Sequence, residues 1–343
     1  MIGRLMKAGV VAAAVLVSAP LAQAQEFTFK LHQLLPEKAS VPAGFLIPWS
    51  EKIMKESGGR IKIEHYPSMQ LGGKPPALID QVTDGAVDMI WTVMGYTPGR
   101  FPKSEAFELP FMVSNAEATS RAFQEYAEKY MMDEFPGLKV ICVHTHGPGL
   151  FHTKNPVTKL EDLKDMKLRG PTRIITDLLG TLGAQPVGMP VPAVPENLSK
   201  GVIDGAVIPW EVTLPLKVAD LVKNHTAMSG DRGLYTATFV FAMNKASYDK
   251  LPDDLKKLID DNSGVEAAAW AGRAMDAGDV QGEKVAREKG NNIIVLDDAE
   301  TQRFKDAAQP VVDKWIEEMN GKGLDGKAMV EDARALVEKY TKK

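Results

Sequence analysis

A short pattern occurs twice and limits the folds open to this chain. Val82-Thr83-Asp84-Gly85-Ala86-Val87 leads to Trp91, and Val202-Ile203-Asp204-Gly205-Ala206-Val207 leads to Trp210. Each copy reads as a helix end, a glycine turn, a short buried strand and a tryptophan near the strand's carboxyl end. A chain that uses this unit twice is expected to form two lobes on one plan. Ligands of open α/β sheets sit beyond the carboxyl ends of strands, so both tryptophans are expected to face a shared cleft. Asp-Gly turns are common, and each ring taken alone reads equally well as core.

Periodicity between the copies points the same way. Phe27 to His32 alternates as a strand, Phe45, Leu46, Trp49, Ile53 and Met54 share one helix face, and Ile61 to Tyr66 alternates again. Leu78, Ile79 and Val82 mark a second helix, and Ala86 to Trp91 reads as a buried strand. Strand and helix alternate in this way through most of the chain, which predicts an α/β protein whose lobes are each a mainly parallel sheet flanked by helices. The alanine-rich, glycine-punctuated segment from Val265 to about Glu288 reads as a long helix able to brace both lobes. The expected division is 25–147 with about 235–265 as the first lobe and 148–234 with about 285–330 as the second. The bridging helix takes about 266–288, and 331–343 forms a C-terminal helix. The lysine- and proline-punctuated segment Asn155 to Lys167 is expected to cross between the lobes.

Arg4 and Lys7, an apolar run from Ala8 to Leu21 and then Ala22-Gln23-Ala24 form the pattern of a secretory signal peptide over 1–24, cleaved near Ala24. Without Arg4 and Lys7 the chain carries 39 basic against 45 acidic residues, a net charge near −6, and no basic stripe. That balance argues against nucleic acid as a partner. Cys142 is the single cysteine, so no intrachain disulfide forms and the fold rests on a core. The thiol lies in the apolar run Leu138 to Val143 and reads as buried and inert.

The residues that an enzyme would need are not assembled. The chain has no G-x-S-x-G elbow, no phosphate-binding loop ending in Gly-Lys-Ser/Thr, no H-E-x-x-H and no cysteine pair. His144 and His146 share a face of one strand with His152 close by, but zinc would need further ligands of fixed geometry that the sequence does not supply. Glu211, beside Trp210 with no nucleophile near, reads as a positioning carboxylate or a contact that closes the lobes. Arg169 stands out in Met166 to Thr172, MKLRGPT. Gly170-Pro171 ends the strand behind it, and Thr172 is placed to cap a following helix through Leu179. An arginine at a strand end beside a helix N-terminus receives a carboxylate well, because its planar fork takes both oxygens. A plain surface arginine fits that window equally well.

Several segments in order then carry a resemblance: FKLHQLLPEKAS at the mature start, GRIKIEHYPSMQLGG at Gly59 to Gly73, DGAVDM at Asp84 to Met89 and ELPFM at Glu108 to Met112. LEDLKDMKLRGPT, GAQPVGMPVP and GVIDGAV follow at Leu160 to Thr172, Gly183 to Pro192 and Gly201 to Val207. Together they resemble the solute-binding proteins of tripartite ATP-independent periplasmic (TRAP) transporters, of the dicarboxylate-receptor type, over the whole mature chain. The resemblance implies a two-lobed periplasmic-binding-protein fold that closes on an organic anion and delivers it to a membrane permease. It also implies that the arginine of the K-[IL]-R motif, here Arg169, salt-bridges the ligand carboxylate.

Departures from the relatives bear on the substrate. Receptors for sialic acids carry a second arginine upstream, where this chain reads GPGLFHT. Ile208 stands where a polar contact is common, and Trp91, Val93, Met94 and Tyr96 stand where sugar-acid receptors place charges. One anion anchor with an apolar, aromatic remainder suits an aromatic or hydrophobic 2-oxo or 2-hydroxy monocarboxylate, such as benzoylformate or mandelate. A small aliphatic mono- or dicarboxylate is the alternative. The expected ligand-binding set is Arg169 with His32, Trp91, Met94, Tyr96, His146, Phe151, Met189, Ile208, Trp210, Glu211 and Tyr235, with His32, His146 or Tyr235 on the second oxygen. The expected receptor is a periplasmic monomer without metal or cofactor. An exported enzyme using His146 and Glu211, or a scavenging or sensing module without a permease, are the other classes; turnover of a bound acid would support the first, and neighbouring permease genes would argue against the second while their absence would leave it open.

Overall fold

The computed structural model describes residues 25–342, so the expected signal peptide and its cleavage near Ala24 lie outside the described residues. Alternation builds the first strand, where Phe29 and Leu31 turn inward and Thr28 and Lys30 outward. The chain then runs β1 (Phe27–Gln33), α1 (Ile47–Glu56), β2 (Ile61–Tyr66), α2 (Leu78–Thr83), β3 (Met89–Val93), α3 (Ala116–Tyr130) and β4 (Leu138–Thr145). It continues as β5 (Leu150–Thr153), β6 (Lys167–Gly170), α4 (Arg173–Thr181), β7 (Gln185–Gly188), α5 (Val194–Ser199), β8 (Gly205–Ile208), α6 (Trp210–Thr213), α7 (Val218–Leu221) and β9 (Asn224–Ala227). Last come β10 (Thr238–Asn244), α8 (Lys245–Asp249), α9 (Asp253–Asp261), α10 (Val265–Glu288), β11 (Asn292–Val295), α11 (Asp298–Gly321) and α12 (Gly326–Thr341).

Two sheets form, ordered β2-β1-β3-β10-β4 and β11-β9-β5-β8-β6-β7. Pairs are parallel except around one strand in each sheet: β10 opposes β3 and β4, and β5 opposes β8 and β9. Those two strands arrive directly from the other lobe. With no helical crossover to turn the chain round, they enter their sheets against the prevailing direction.

Two short passages between the lobes therefore lie at residues 146–149, between β4 and β5, and 228–237, between β9 and β10, and the chain crosses again from β10 to β11 by way of α10. The expectation that Asn155 to Lys167 crosses between lobes is overturned, because that segment joins β5 to β6 within the second sheet. Lysines and prolines signal a loop, and a loop inside one lobe has the same composition as a passage between two. The two passages pair with each other: Gly149 N–H donates to Tyr235 O at 2.8 Å, and Thr236 Oγ1 donates to His146 O at 2.8 Å.

The long helix α10 braces both lobes, packing on α3 and β4 of the first and on α6 of the second. Two aspartates on it cap one helix of each lobe. Asp276 accepts from Ala116 N and Glu117 N at 2.7 and 3.0 Å, and Asp279 accepts from Glu211 N at 2.7 Å. Two glycines allow the approach. A Cβ at Gly272 would lie 2.6 Å from Ala116 O, and one at Gly282 would lie 2.1 Å from Trp210 O.

Those contacts are backbone and cannot swing aside, so Gly282→Ala is expected to lower the thermal unfolding midpoint by the several degrees that about 2 kcal/mol of overpacking brings. The loss should appear although alanine is favoured over glycine in helices by about 1 kcal/mol. Gly321→Ala, where a Cβ meets open space, serves as the control and should not destabilise.

Candidate functional site

β6 and β8 lie side by side in the second lobe, with Arg169 opposite Ala206, and their carboxyl ends carry Arg169 and Ile208 to the junction of the lobes. The Arg169 side chain is buried, at 1% exposure. Nε donates to Met189 O at 2.9 Å, Nη1 to Val207 O at 3.1 Å, and Nη2 to the Tyr96 hydroxyl of the first lobe at 3.4 Å. A guanidinium has five N–H donors, so one hydrogen on each terminal nitrogen is left over. Among the described residues no carboxylate pairs with Arg169. The fork is thus held rigidly from behind and lacks an acidic partner in front.

The space before it is a narrow cavity between the lobes. Trp91, Val93, Tyr96 and Phe239 line it from the first lobe, Pro171, Val191, Ile208, Glu211 and Val212 from the second, and Tyr235 from a passage between them. Most of this wall is apolar. Trp91 donates its indole N–H to His144 Nε2 at 2.8 Å, and Phe239 stacks on both rings within 6° of parallel, which fixes the wall's aromatic face. Tyr96 accepts from Val191 N at 2.8 Å as well as from Arg169, leaving its own hydrogen to donate. The Tyr235 hydroxyl has no hydrogen-bond partner among the described residues, and burial pushes its pKa upward. Burial likewise raises Glu211 to about 7. Outside the cavity, Arg173 of α4 grips Glu105 of the first lobe at 3.1 and 2.5 Å and so ties the lobes shut.

Of the expected site residues, Arg169, Trp91, Tyr96, His146, Ile208, Glu211 and Tyr235 line this cavity. Five do not. His32 lies away from it, with Nδ1 against Gln81 Oε1 at 2.8 Å and Nε2 accepting from Leu71 N at 3.3 Å. Met94 and Phe151 are core, Phe151 against Phe304, and Met189 contributes its carbonyl to Arg169. Trp210 turns away from the cleft and packs on His152 and His225 at 4.9 and 4.8 Å. His146 is at the cavity but has no nitrogen to offer a ligand: Nδ1 donates to Gly147 O at 2.5 Å and Nε2 accepts from Ala237 N at 3.0 Å. Thr172 precedes α4 but makes no side-chain capping bond. Leu34, Leu35, Val93, Pro171, Val191, Pro209, Val212, Ala237 and Phe239 line the cavity outside the expected set. Phe239 lies in a strand buried on both faces, where no alternation marks the side that meets the cleft. Among the described residues no group of three or more His, Cys, Asp or Glu side chains is placed to hold a metal ion.

Fold and site together define a two-lobed binding protein whose closed cleft presents one unpaired arginine fork in apolar surroundings. The chain belongs to the bacterial extracellular solute-binding proteins of family 7, the dicarboxylate-receptor (DctP) family of TRAP transporters, whose family model matches residues 35–318. A TRAP solute-binding protein from Rhodoferax ferrireducens, solved with copurified benzoate, is 50% identical with a TM-score of 0.90, covering 92% of this chain and 98% of its own. A marine metagenome TRAP protein described as specific for aromatic acid ligands, solved with 3-hydroxybenzoate, is also 50% identical with a TM-score of 0.90, covering 92% of this chain and 99% of its own. One from Bordetella bronchiseptica, solved with (R)- and (S)-mandelate, is 30% identical with a TM-score of 0.85, covering 91% of this chain and 99% of its own.

Behind β8 a chain of hydrogen bonds holds the strand end that carries Ile208. Asn291 Nδ2 donates to His225 Nε2 at 3.0 Å, His225 and His152 meet through Nδ1 at 2.6 Å, and His152 Nε2 donates to Ile208 O at 3.2 Å. Since the carbonyl only accepts and the amide nitrogen only donates, His225 carries its proton on Nδ1 and His152 on Nε2. Both rings must be neutral. Unfolded, each titrates near about 6.5; folded, burial holds His225 at about 4 and, with His225 beside it, His152 well below its ordinary value. The stabilisation is therefore complete above about pH 6.5 and is lost as pH falls toward 4, by at most about 1.4 kcal/mol per pH unit for each ring. Replacing both rings, His152→Leu with His225→Leu, is expected to flatten the decline of the thermal midpoint over that range. A decline as steep as in the wild type would contradict the assignment.

Proposed function

We propose that this protein is the periplasmic receptor of a TRAP transporter for aromatic monocarboxylates, and that it hands its ligand to the membrane permease. The observation that carries the reading is the buried Arg169 fork, unpaired by any described carboxylate, facing a cavity walled by Trp91, Phe239, Ile208 and Val212. A charge taken out of water without a counter-ion is costly, so the closed arrangement favours an anion at the fork. The apolar wall favours a ring behind the carboxylate. Benzoate, 3-hydroxybenzoate and mandelate in the related structures support the same class.

Magnitudes agree. Two charge-assisted bonds from Arg169 contribute roughly 3–6 kcal/mol, and burying roughly 150 Å² of ring at about 25 cal/mol per Å² adds about 4 kcal/mol. Micromolar binding needs about 8 kcal/mol net of ordering costs, so either contribution alone falls short and both are needed, together about 7–10 kcal/mol before those costs. A small dicarboxylate would lack the second term and bring a second charge into an apolar wall.

The mechanism is capture and closure. With Trp91, Tyr235 and Arg169 all at 1% exposure or less, a ligand enters only when the lobes part about the two passages. Arg169 takes the carboxylate, Tyr235 and Tyr96 offer hydroxyl donors to a 2-oxo or 2-hydroxy oxygen, and the Arg173–Glu105 pair re-forms as the lobes shut. The closed face is then what a permease can distinguish from the open one.

Calorimetry with benzoate, mandelate, benzoylformate, pyruvate, succinate and sialic acid tests this reading. The aromatic acids are expected to bind in the micromolar range or tighter, and tight succinate binding with no aromatic binding would sink it. Arg169→Ala should weaken aromatic-acid binding roughly a hundredfold to ten-thousandfold with the fold intact. Arg169→Lys should recover little, because a point charge does not replace a fork.

A further inference from the structure

One cavity group has no role in holding the carboxylate or the ring. Glu211 is the only carboxyl among the lining residues, is 4% exposed, and is not paired with Arg169 or any other described cation. Its backbone N–H is held by Asp279 of α10, and the Ser40 hydroxyl of the first lobe lies near its carboxyl group. Oxygen Oε2 is buried and has no hydrogen-bond partner among the described residues. Helix α10 packs closely behind the residue: a Cβ at Gly278 would lie 2.7 Å from Glu211 Cβ and 2.2 Å from Ser40 Oγ. A buried oxygen left without a partner is unfavourable, and the cavity is the side from which one can enter.

We propose that Glu211 reads a neutral hydroxyl on the ring of the ligand, away from the carboxylate held by Arg169, and rejects ligands that carry a second carboxylate there. This rests on the aromatic-acid reading above and adds the substituent that the site selects. A hydroxyl both donates and accepts, so it satisfies Oε2 whether Glu211 is ionised or protonated. A carboxylate only accepts. It would meet Glu211 and, behind it, Asp279 and Asp276, the acidic groups that α10 brings to this corner. An unsubstituted ring leaves Oε2 unpaired, and sites built to bond a ligand hydroxyl discriminate against analogues that lack it.

The test is calorimetric affinity for benzoate, the three hydroxybenzoates and isophthalate on the wild type, Glu211→Gln and Glu211→Leu. In the wild type at least one hydroxybenzoate is expected to bind about tenfold tighter than benzoate, and isophthalate far more weakly than either. Glu211→Leu should bring the hydroxybenzoate-to-benzoate affinity ratio toward one. Glu211→Gln, which keeps a donor and an acceptor without a charge, should keep the ratio and improve isophthalate binding about tenfold. An unchanged ratio in the leucine variant, even with both ligands weakened, overturns the proposal, and so does a glutamine variant with no gain for isophthalate. Should the leucine variant fail to fold, the glutamine variant decides. If the wild type binds benzoate and every hydroxybenzoate equally, this inference falls and the aromatic-acid reading stands; if it binds none of them, both fall.

Discussion

A guanidinium buried without a counter-ion is the constraint around which the molecule is arranged. Two backbone carbonyls, Met189 O and Val207 O, and the Tyr96 hydroxyl satisfy three of its donors and fix its plane. They compensate only part of the lost hydration, because neutral acceptors do not replace a negative charge. Tyr96 belongs to the first lobe and the carbonyls to the second, so parting the lobes removes one of the three contacts and readmits water. Closure without an anion and closure with one therefore differ in free energy at this residue above all others. That difference is what lets a ligand shift the balance between open and closed forms.

Both lobes are held on one shared frame. Helix α10 caps α3 through Asp276 and α6 through Asp279, with Gly272 and Gly282 bringing backbone against backbone. The same helix supports the passages, since a Cβ at Gly147 would strike Asp279. Ring nitrogens are used in the same spirit. His146 ties one passage to the other through Ala237, and the His225–His152 pair ties β9 to the end of β8. Imidazole serves here as a neutral group that donates on one side and accepts on the other, which is why burial and depressed basicity go together.

Legibility differed between residues of the same type for identifiable reasons. The two tryptophans of the repeated pattern show it best. Trp91 follows its aspartate by seven residues and lies within β3, whereas Trp210 follows by six and comes after Pro209 has ended β8. A one-residue offset exchanges faces, and a proline hands the next residue to a helix. Trp91 therefore walls the cavity and Trp210 covers the histidine pair. The place of Arg169 near a strand end was legible from the Gly170-Pro171 stop, but that window suited a surface arginine equally well, and its burial was not legible. The hydrogen bonds of His32 and His146 were not, because their partners, Gln81, Leu71 and Ala237, come from elements distant in the chain.

Periodicity, glycine turns and the lone cysteine determined by themselves that this chain forms an α/β protein of two similar lobes with a long helix, and the K-L-R-G-P run placed a cation at a strand end. These are local properties, set by which residues alternate and where a backbone can turn. Which strands run against their sheets, which tryptophan faces the cavity and which ring nitrogens are already bonded were decided only when the passages brought remote segments together. Burial and hydrogen-bond satisfaction depend on every neighbour in space, and adjacency in the chain specifies few of them.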